Sequence, residues 1–165
     1  MATEDPVLRS RIPLPAEAPE NLNHKPEHVA AVLRAMEGVT TNGTSTRVFA
    51  GAPYRSGGKT GTAQAVTIGQ KDKYDARRLE EHQRDHSLYL AFAPMDKPQV
   101  ALAVVVENAG FGAAHAAPMA RRVFDYLLLG HYPSEEDMAA VSKGLATAPI
   151  GKPRMASDIG LGPQP

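Results

Sequence analysis

Residues 87–107 read SLYLAFAPMDKPQVALAVVVE, two apolar runs on either side of Pro94-Met95-Asp96-Lys97-Pro98. The runs 87–93 and 99–107 have the length and aromatic or β-branched content of strands, and the five residues between them make a hairpin-sized turn, so the two are expected to pair antiparallel. The second run is apolar on both faces, which predicts a strand covered by helices on both sides. Upstream, residues 54–68 are rich in Thr, Val and Gly, and 60–68 lacks helical spacing. This predicts a third strand, with glycines where something must approach the backbone. Between it and the hairpin, KDKYDARRLEEHQRDH (71–86) carries dense alternating charge and reads as a solvated excursion.

Helices are expected at both ends of this strand region. Val29, Val32, Leu33 and Met36 fall at i, i+3, i+4 and i+7, with Pro26 suited to the first turn and Gly38 to the stop. Residues 44–50 suit a short second helix ending at Gly51. A third is expected over 117–129, with Pro118 near its start, Gly130 at its stop and Met119, Val123, Tyr126 and Leu127 as its buried stripe. Residues 1–25 contain Pro6, Pro13, Pro15 and Pro19 without sustained period and read as a linker or loosely docked segment. Residues 131–165 return to Pro, Gly, Ser and Ala and read as a flexible tail, apart from a turn of helix at 134–141. The layout is α+β, an antiparallel three-stranded sheet flanked by helices, with residues 26–130 as its folded part.

Composition removes several functions. Lys plus Arg and Asp plus Glu are 18 each, so no net field gathers nucleic acid, and none is expected as a partner. Cysteine is absent, which excludes disulfides, thiolate catalysis and Cys-based zinc sites. No run reaches the roughly 18 apolar residues of a membrane span, and MATEDPVLRSR lacks the layout of a signal peptide, so the chain as given is expected to be soluble and not self-targeting.

The chemistry-bearing stretch is SGGKTGT, residues 56–62. Gly58-Lys59-Thr60 matches the end of a phosphate-binding loop, but the first glycine of that pattern falls on Pro53, and a strand follows where a phosphate loop needs a helix N-terminus. Ser56 and Lys59 have S-x-x-K spacing, but that chemistry needs both on one helical face and two glycines entering a strand are poor helix material. A third reading makes Lys59-Thr60-Gly61-Thr62 an edge strand that binds an extended peptide through its main chain. Lys59 then places a cation beside the reacting centre, Thr60 offers a hydroxyl to an anionic terminus and Gly61 clears room over the backbone. The Thr62 N–H stands ready as an oxyanion donor. An ordinary glycine-containing strand is the structural alternative. His82 and His86, spaced i, i+4, lack a third ligand and the glutamate of the metalloprotease pattern, so no metal is expected.

Lys59-Thr60-Gly61-Thr62-Ala63-Gln64 resembles the third motif of the class B penicillin-binding proteins. The resemblance to the elongation-type, penicillin-binding protein 2 branch extends to Gly43-Thr44 through Phe49 and to Tyr54, Tyr74 and Arg84-Asp85-His86. It continues through Ala91-Phe92-Ala93-Pro94, Pro98-Gln99-Val100, Glu107-Asn108-Ala109-Gly110 and Ala116-Ala117-Pro118, and covers about residues 26–130. It implies part of the serine β-lactamase-like transpeptidase fold. It also implies a mechanism in which the D-alanyl-D-alanine end of a peptidoglycan stem peptide acylates a serine and an amine resolves the acyl-enzyme. β-Lactams imitate that end, and no cofactor is required.

Carried over, Lys59 joins the active-site network, Thr60 binds the substrate carboxylate beside Gly61, and the Thr62 backbone helps form the oxyanion hole. The parent enzyme is expected in the inner membrane with a periplasmic catalytic domain. The family's S-x-x-K and S-x-N motifs lie upstream of K-T-G; no S-x-N occurs here, and the S-x-x-K overlaps Lys59. The chain is therefore expected to be a C-terminal part of the transpeptidase domain, inactive alone. Strand 99–107 is expected to present an open edge suited to self-association. The alternative is a non-catalytic module that holds a peptide or partner strand on K-T-G-T.

Overall fold

The computed structural model describes residues 23–65, 80–143 and 147–160. Its elements are α1 (Pro26–Thr41), α2 (Thr46–Phe49), β1 (Gly57–Ala63), β2 (His86–Ala93), β3 (Val100–Val106), α3 (Ala116–Leu129) and α4 (Glu135–Ser142). The three strands form one antiparallel sheet in the order β1-β2-β3, so β1 and β3 are its edges among the described residues. The hairpin forms as expected. The excursion over 71–86 lies largely outside the described residues, as do 66–68 of the third strand and most of the segment before α1.

β1 occupies the middle of the 54–68 stretch expected to hold a strand. It starts at Gly57, pairing Gly57 with Phe92, and ends at Ala63 opposite His86, where β2 begins. Gly57 and Gly58 belong to the strand because β2 fills the space their side chains would need. A Cβ on Gly57 would lie 2.6 Å from Phe92 Cε1, and one on Gly58 2.1 Å from the Tyr89 hydroxyl oxygen.

The core lies between α3 and the inner face of the sheet. Ala116, Ala117, Ala120 and Phe124 are buried from the helix side, Tyr89, Ala91 and Ala93 from β2, and Val48 and Phe49 from α2. Small residues let α3 lie close to the strands, while Phe124, Phe49 and Tyr54 interlock as an aromatic cluster. Burying one such phenyl ring contributes about 1.5–3 kcal/mol.

Two burial expectations need correction. Met119, Val123 and Leu127 are 43%, 41% and 46% exposed, so the expected stripe of α3 is not its buried one. The buried stripe instead includes Arg121 and Asp125, which hydropathy alone places outward; burial is tolerated because each charge finds the other and further partners. β3 is also not covered on both sides. Leu102 and Val104 are half-buried beneath α3, while Ala101, Ala103 and Val105 alternate with them on an exposed face, with Leu90 of β2 beside them.

α1 has the expected start, but it runs past Gly38. Its last turn is fixed by Thr40, whose hydroxyl lies 3.0 Å from Glu37 O and 2.7 Å from Ser56 O, tying the helix to the residue just before β1. Val29, Val32 and Leu33 on its first half are exposed, whereas Met36 and Val39 are half-buried. α3 stops where expected, at Gly130 in the left-handed region with φ 69°.

Beyond His131, α4 is capped by Ser134, whose oxygen accepts the Asp137 N–H. Arg122 holds the buried Asp137 through Nε at 2.8 Å and Nη2 at 2.5 Å, and Ser134 Oγ donates to Ile150 O. Tyr132 and Arg154 form a further antiparallel bridge.

Candidate active site

β1 presents the K-T-G-T residues at the sheet's edge. One side of the strand pairs with β2, and the other has no partner strand among the described residues, so its outward N–H and C=O groups are not committed to a strand ladder there. Lys59 is exposed, lies opposite the exposed Leu90 and places Nζ 2.5 Å from Thr60 O. Thr60 lies opposite the buried Tyr89 and Thr62 opposite the buried Ser87. Lys59 therefore leaves one face of the strand and the two threonines the other. A single ligand reaches all three only along the free edge.

Glycines shape this edge from behind. Gly112, in the loop after β3, sits against the β1–β2 ladder so closely that a Cβ would lie 2.3 Å from Leu88 O and 2.5 Å from Gly61 O. The same loop is tied down where Ala116 N–H donates to Ser87 Oγ and Gly110 N–H to Asp85 O. At Gly61 a Cβ would lie 3.1 Å from Leu88 Cβ, so the bare backbone at this position also serves the fit to β2.

Ser56 is 3% exposed and precedes the strand, while Gly57 and Gly58 lie within it, so Ser56 and Lys59 share no helical face. Lys59 leads into a strand and no helix N-terminus follows, contrary to what a phosphate loop needs. His82 and His86 fall on different elements, the 3₁₀ turn Glu81–Gln83 and the start of β2. His86 Nδ1 accepts the Asn108 N–H at 3.0 Å.

Arg121 and Asp125, which no motif in the sequence marked as site residues, support the strand. Arg121 Nε bonds both oxygens of Asp125 at 2.9 and 3.0 Å, and its Nη1 donates to Val48 O and Ala50 O. The Tyr54 hydroxyl donates to Asp125 at 2.7 Å, and the guanidinium carbon lies 6.0 Å from the Phe49 ring and 5.8 Å from that of Tyr54. This cluster fixes the chain from Val48 to Tyr54, immediately ahead of β1. Burial first, and then the Asp125 carboxylate, push Tyr54 ionisation far above its ordinary range. Burial, partly offset by the Ser45 hydroxyl, also raises Tyr89, although neither of those hydroxyls has a partner in hydrogen-bond geometry among the described residues. The i, i+4 spacing of Arg121 and Asp125 was the signal available in the sequence.

Residues 6–125 match the penicillin binding protein transpeptidase domain. The chain belongs to that family. Among relatives of this penicillin-binding family, the peptidoglycan D,D-transpeptidase MrdA of Haemophilus influenzae is 38% identical over 135 residues, covering 81% of this chain and 19% of its own length. The protein of the same name from Acinetobacter baumannii is 41% identical over 132 residues, covering 79% and 19%. The crystal structure of Pseudomonas aeruginosa PBP2 in complex with WCK 5153 superposes with a TM-score of 0.56 at 34% identity. It covers 70% of this chain and 23% of that one. The chain thus spans about a fifth of the length of the relatives it matches. The three-stranded sheet and its helices are part of the penicillin-binding transpeptidase fold. Among the described residues, no helix is long and apolar enough to cross a membrane.

Proposed function

We propose that this chain supplies the substrate-binding strand of a peptidoglycan D,D-transpeptidase that uses a serine acyl-enzyme and is acylated by penicillins. The observation that carries the reading is the K-T-G-T segment on an unpaired edge strand, within a chain whose relatives bear that activity in their names. Thr60 and Gly61 receive the carboxylate end of a D-alanyl-D-alanine stem peptide lying along the edge. Lys59 holds positive charge beside the reacting centre. The Thr62 N–H donates to the oxyanion of the tetrahedral intermediate, a contribution of about 3–4 kcal/mol for one such donor. The nucleophilic serine is not among residues 1–165, so residues 26–130 act as the C-terminal part of the catalytic domain. The complete protein works at the inner membrane, on its periplasmic side. The unpaired edge of β3 provides a surface for another strand, from a further part of the protein or from a second copy.

Labelled penicillin added to the complete gene product, followed by peptide mapping, tests this reading. The expected adduct is on a serine outside these residues, with acylation cut at least tenfold by Lys59→Ala, on the order of 1.4 kcal/mol. An adduct on Ser56, or none at all, would overturn it.

A further inference from the structure

Beside Thr60 lies a hydroxyl with no part in the scheme above. Thr44 Oγ1 is 3.2 Å from Thr60 Oγ1, across a sequence separation of sixteen residues. The turn that carries it is rigidly built. A Cβ on Gly43 would lie 2.8 Å from Val39 Cα and 2.9 Å from Gly38 O, so only glycine brings the chain round this tightly after α1. The Ser45 N–H donates to Val39 O at 2.9 Å, and Ser45 itself is fully buried. Thr44, exposed between these two fixed residues, is held against the free edge of β1. Thr60 is held in turn by its register opposite the buried Tyr89.

A threonine hydroxyl carries one proton and two acceptor lone pairs, and its proton turns freely unless a neighbour fixes it. We infer that Thr44 is a positioning residue for Thr60. The Thr44 hydroxyl donates to Thr60 Oγ1, which leaves the Thr60 proton aimed away from the turn and along the free edge, where a carboxylate would accept it. A hydroxyl that accepts one hydrogen bond also donates a stronger one, so the pair acts as a short polarised relay toward the anion. The inference rests on the reading that Thr60 receives the carboxylate, and it assigns the residue that keeps Thr60 oriented when the site is empty.

The test is the concentration dependence of acylation by a labelled penicillin, itself a carboxylate, on the complete gene product. Apparent binding and limiting rate are read separately. Thr44→Val is expected to weaken apparent binding about tenfold, the upper end of what one neutral hydrogen bond contributes, with the limiting rate little changed. Thr44→Ser should recover binding to within about twofold of wild type, because it restores the hydroxyl. Thr60→Val should weaken binding at least as much as Thr44→Val, and the double variant no more than Thr60→Val alone. Thr44→Ala repeats the measurement with a smaller side chain should the valine variant fold poorly. Wild-type binding in both Thr44→Val and Thr44→Ala, failure of serine to recover it, or multiplicative losses in the double variant would each overturn the positioning role. A wild type that takes no label, or a Thr60→Val variant that binds normally, instead overturns the underlying reading of the site.

Discussion

Breaking the Arg121–Asp125 pair from one side should damage the protein more than removing both partners together would suggest. Arg121 and Asp125 are 6% and 8% exposed, so replacing Arg121 with Met leaves a buried carboxylate whose remaining side-chain partner among the described residues is the Tyr54 hydroxyl. Leaving one ion of a buried pair uncompensated costs about 3–5 kcal/mol. Asp125→Leu strands the guanidinium in the same way, so independent effects would sum to roughly 8 kcal/mol. In Arg121→Met/Asp125→Leu no buried charge remains. The groups that lose a partner are then the Val48 and Ala50 carbonyls and the Tyr54 hydroxyl, which keeps the Arg121 backbone carbonyl at 3.4 Å. At about 1 kcal/mol for each lost partner the double variant should lose roughly 3 kcal/mol, leaving a coupling of about 5. Denaturant-dependent hydrogen exchange on peptides spanning 46–63 and 116–129 reads these opening free energies locally. Additive losses, or an Arg121→Met variant within about 1 kcal/mol of wild type, would refute the account of a buried charge tolerated only through its partner.

Other outcomes follow from single features. Gly58→Ala should destabilise by about 1–3 kcal/mol or more, because the new methyl meets the tyrosine ring rather than a flexible chain end; a thermal midpoint unchanged from wild type would contradict this. Glu37 is held below its ordinary pKa of 4.5 by the hydrogen bond from Arg55, whose Nε lies 2.6 Å away. Its contribution is present above that value and is lost as pH falls through the lowered one. Glu37→Gln should therefore flatten part of the acid limb of a stability–pH profile, and an identical limb would count against it. Tyr54 and Tyr89 are both raised above their ordinary 10.0, so their stabilisation is intact below pH 10 and drains away as pH climbs toward the folded-state values. Ultraviolet titration should show their phenolate absorbance appearing only with alkaline unfolding; ionisation near pH 10 in the folded protein would contradict the burial.

What the sequence disclosed was what its neighbours decide. The hairpin was readable because both strands and their turn lie within 21 consecutive residues, and α3 because Pro118 and Gly130 bracket it. The buried face of α3 was not. Arg121 and Asp125 look like surface residues until Val48, Ala50 and Tyr54, about 70 positions away, supply their partners. The limits of β1 depended on the register of β2 and on Tyr89 and Phe92 occupying the room over two glycines that locally mark only a close approach to the backbone. K-T-G-T stood out as a motif, and among the described residues β1, which carries it, lies at the sheet's edge. Thr44 was marked only as part of the resemblance through Gly43-Thr44, and a role beside Thr60 becomes visible only when the sheet brings the two hydroxyls together.

The Tyr89 ring over Gly58 has a consequence for how this sequence can diverge. With a hydroxyl 2.1 Å from where a methyl would begin, positions 58 and 89 cannot drift separately: a lineage that gains a side chain at 58 must first, or at the same step, give up the tyrosine at 89. Because β1 carries K-T-G-T directly after Gly58, the intermediate that changes 58 first disturbs the strand that bears this motif. The two positions should therefore pass through descent as one unit, and chimeras that take residue 58 from one parent and residue 89 from another will reveal it wherever the parents differ at both.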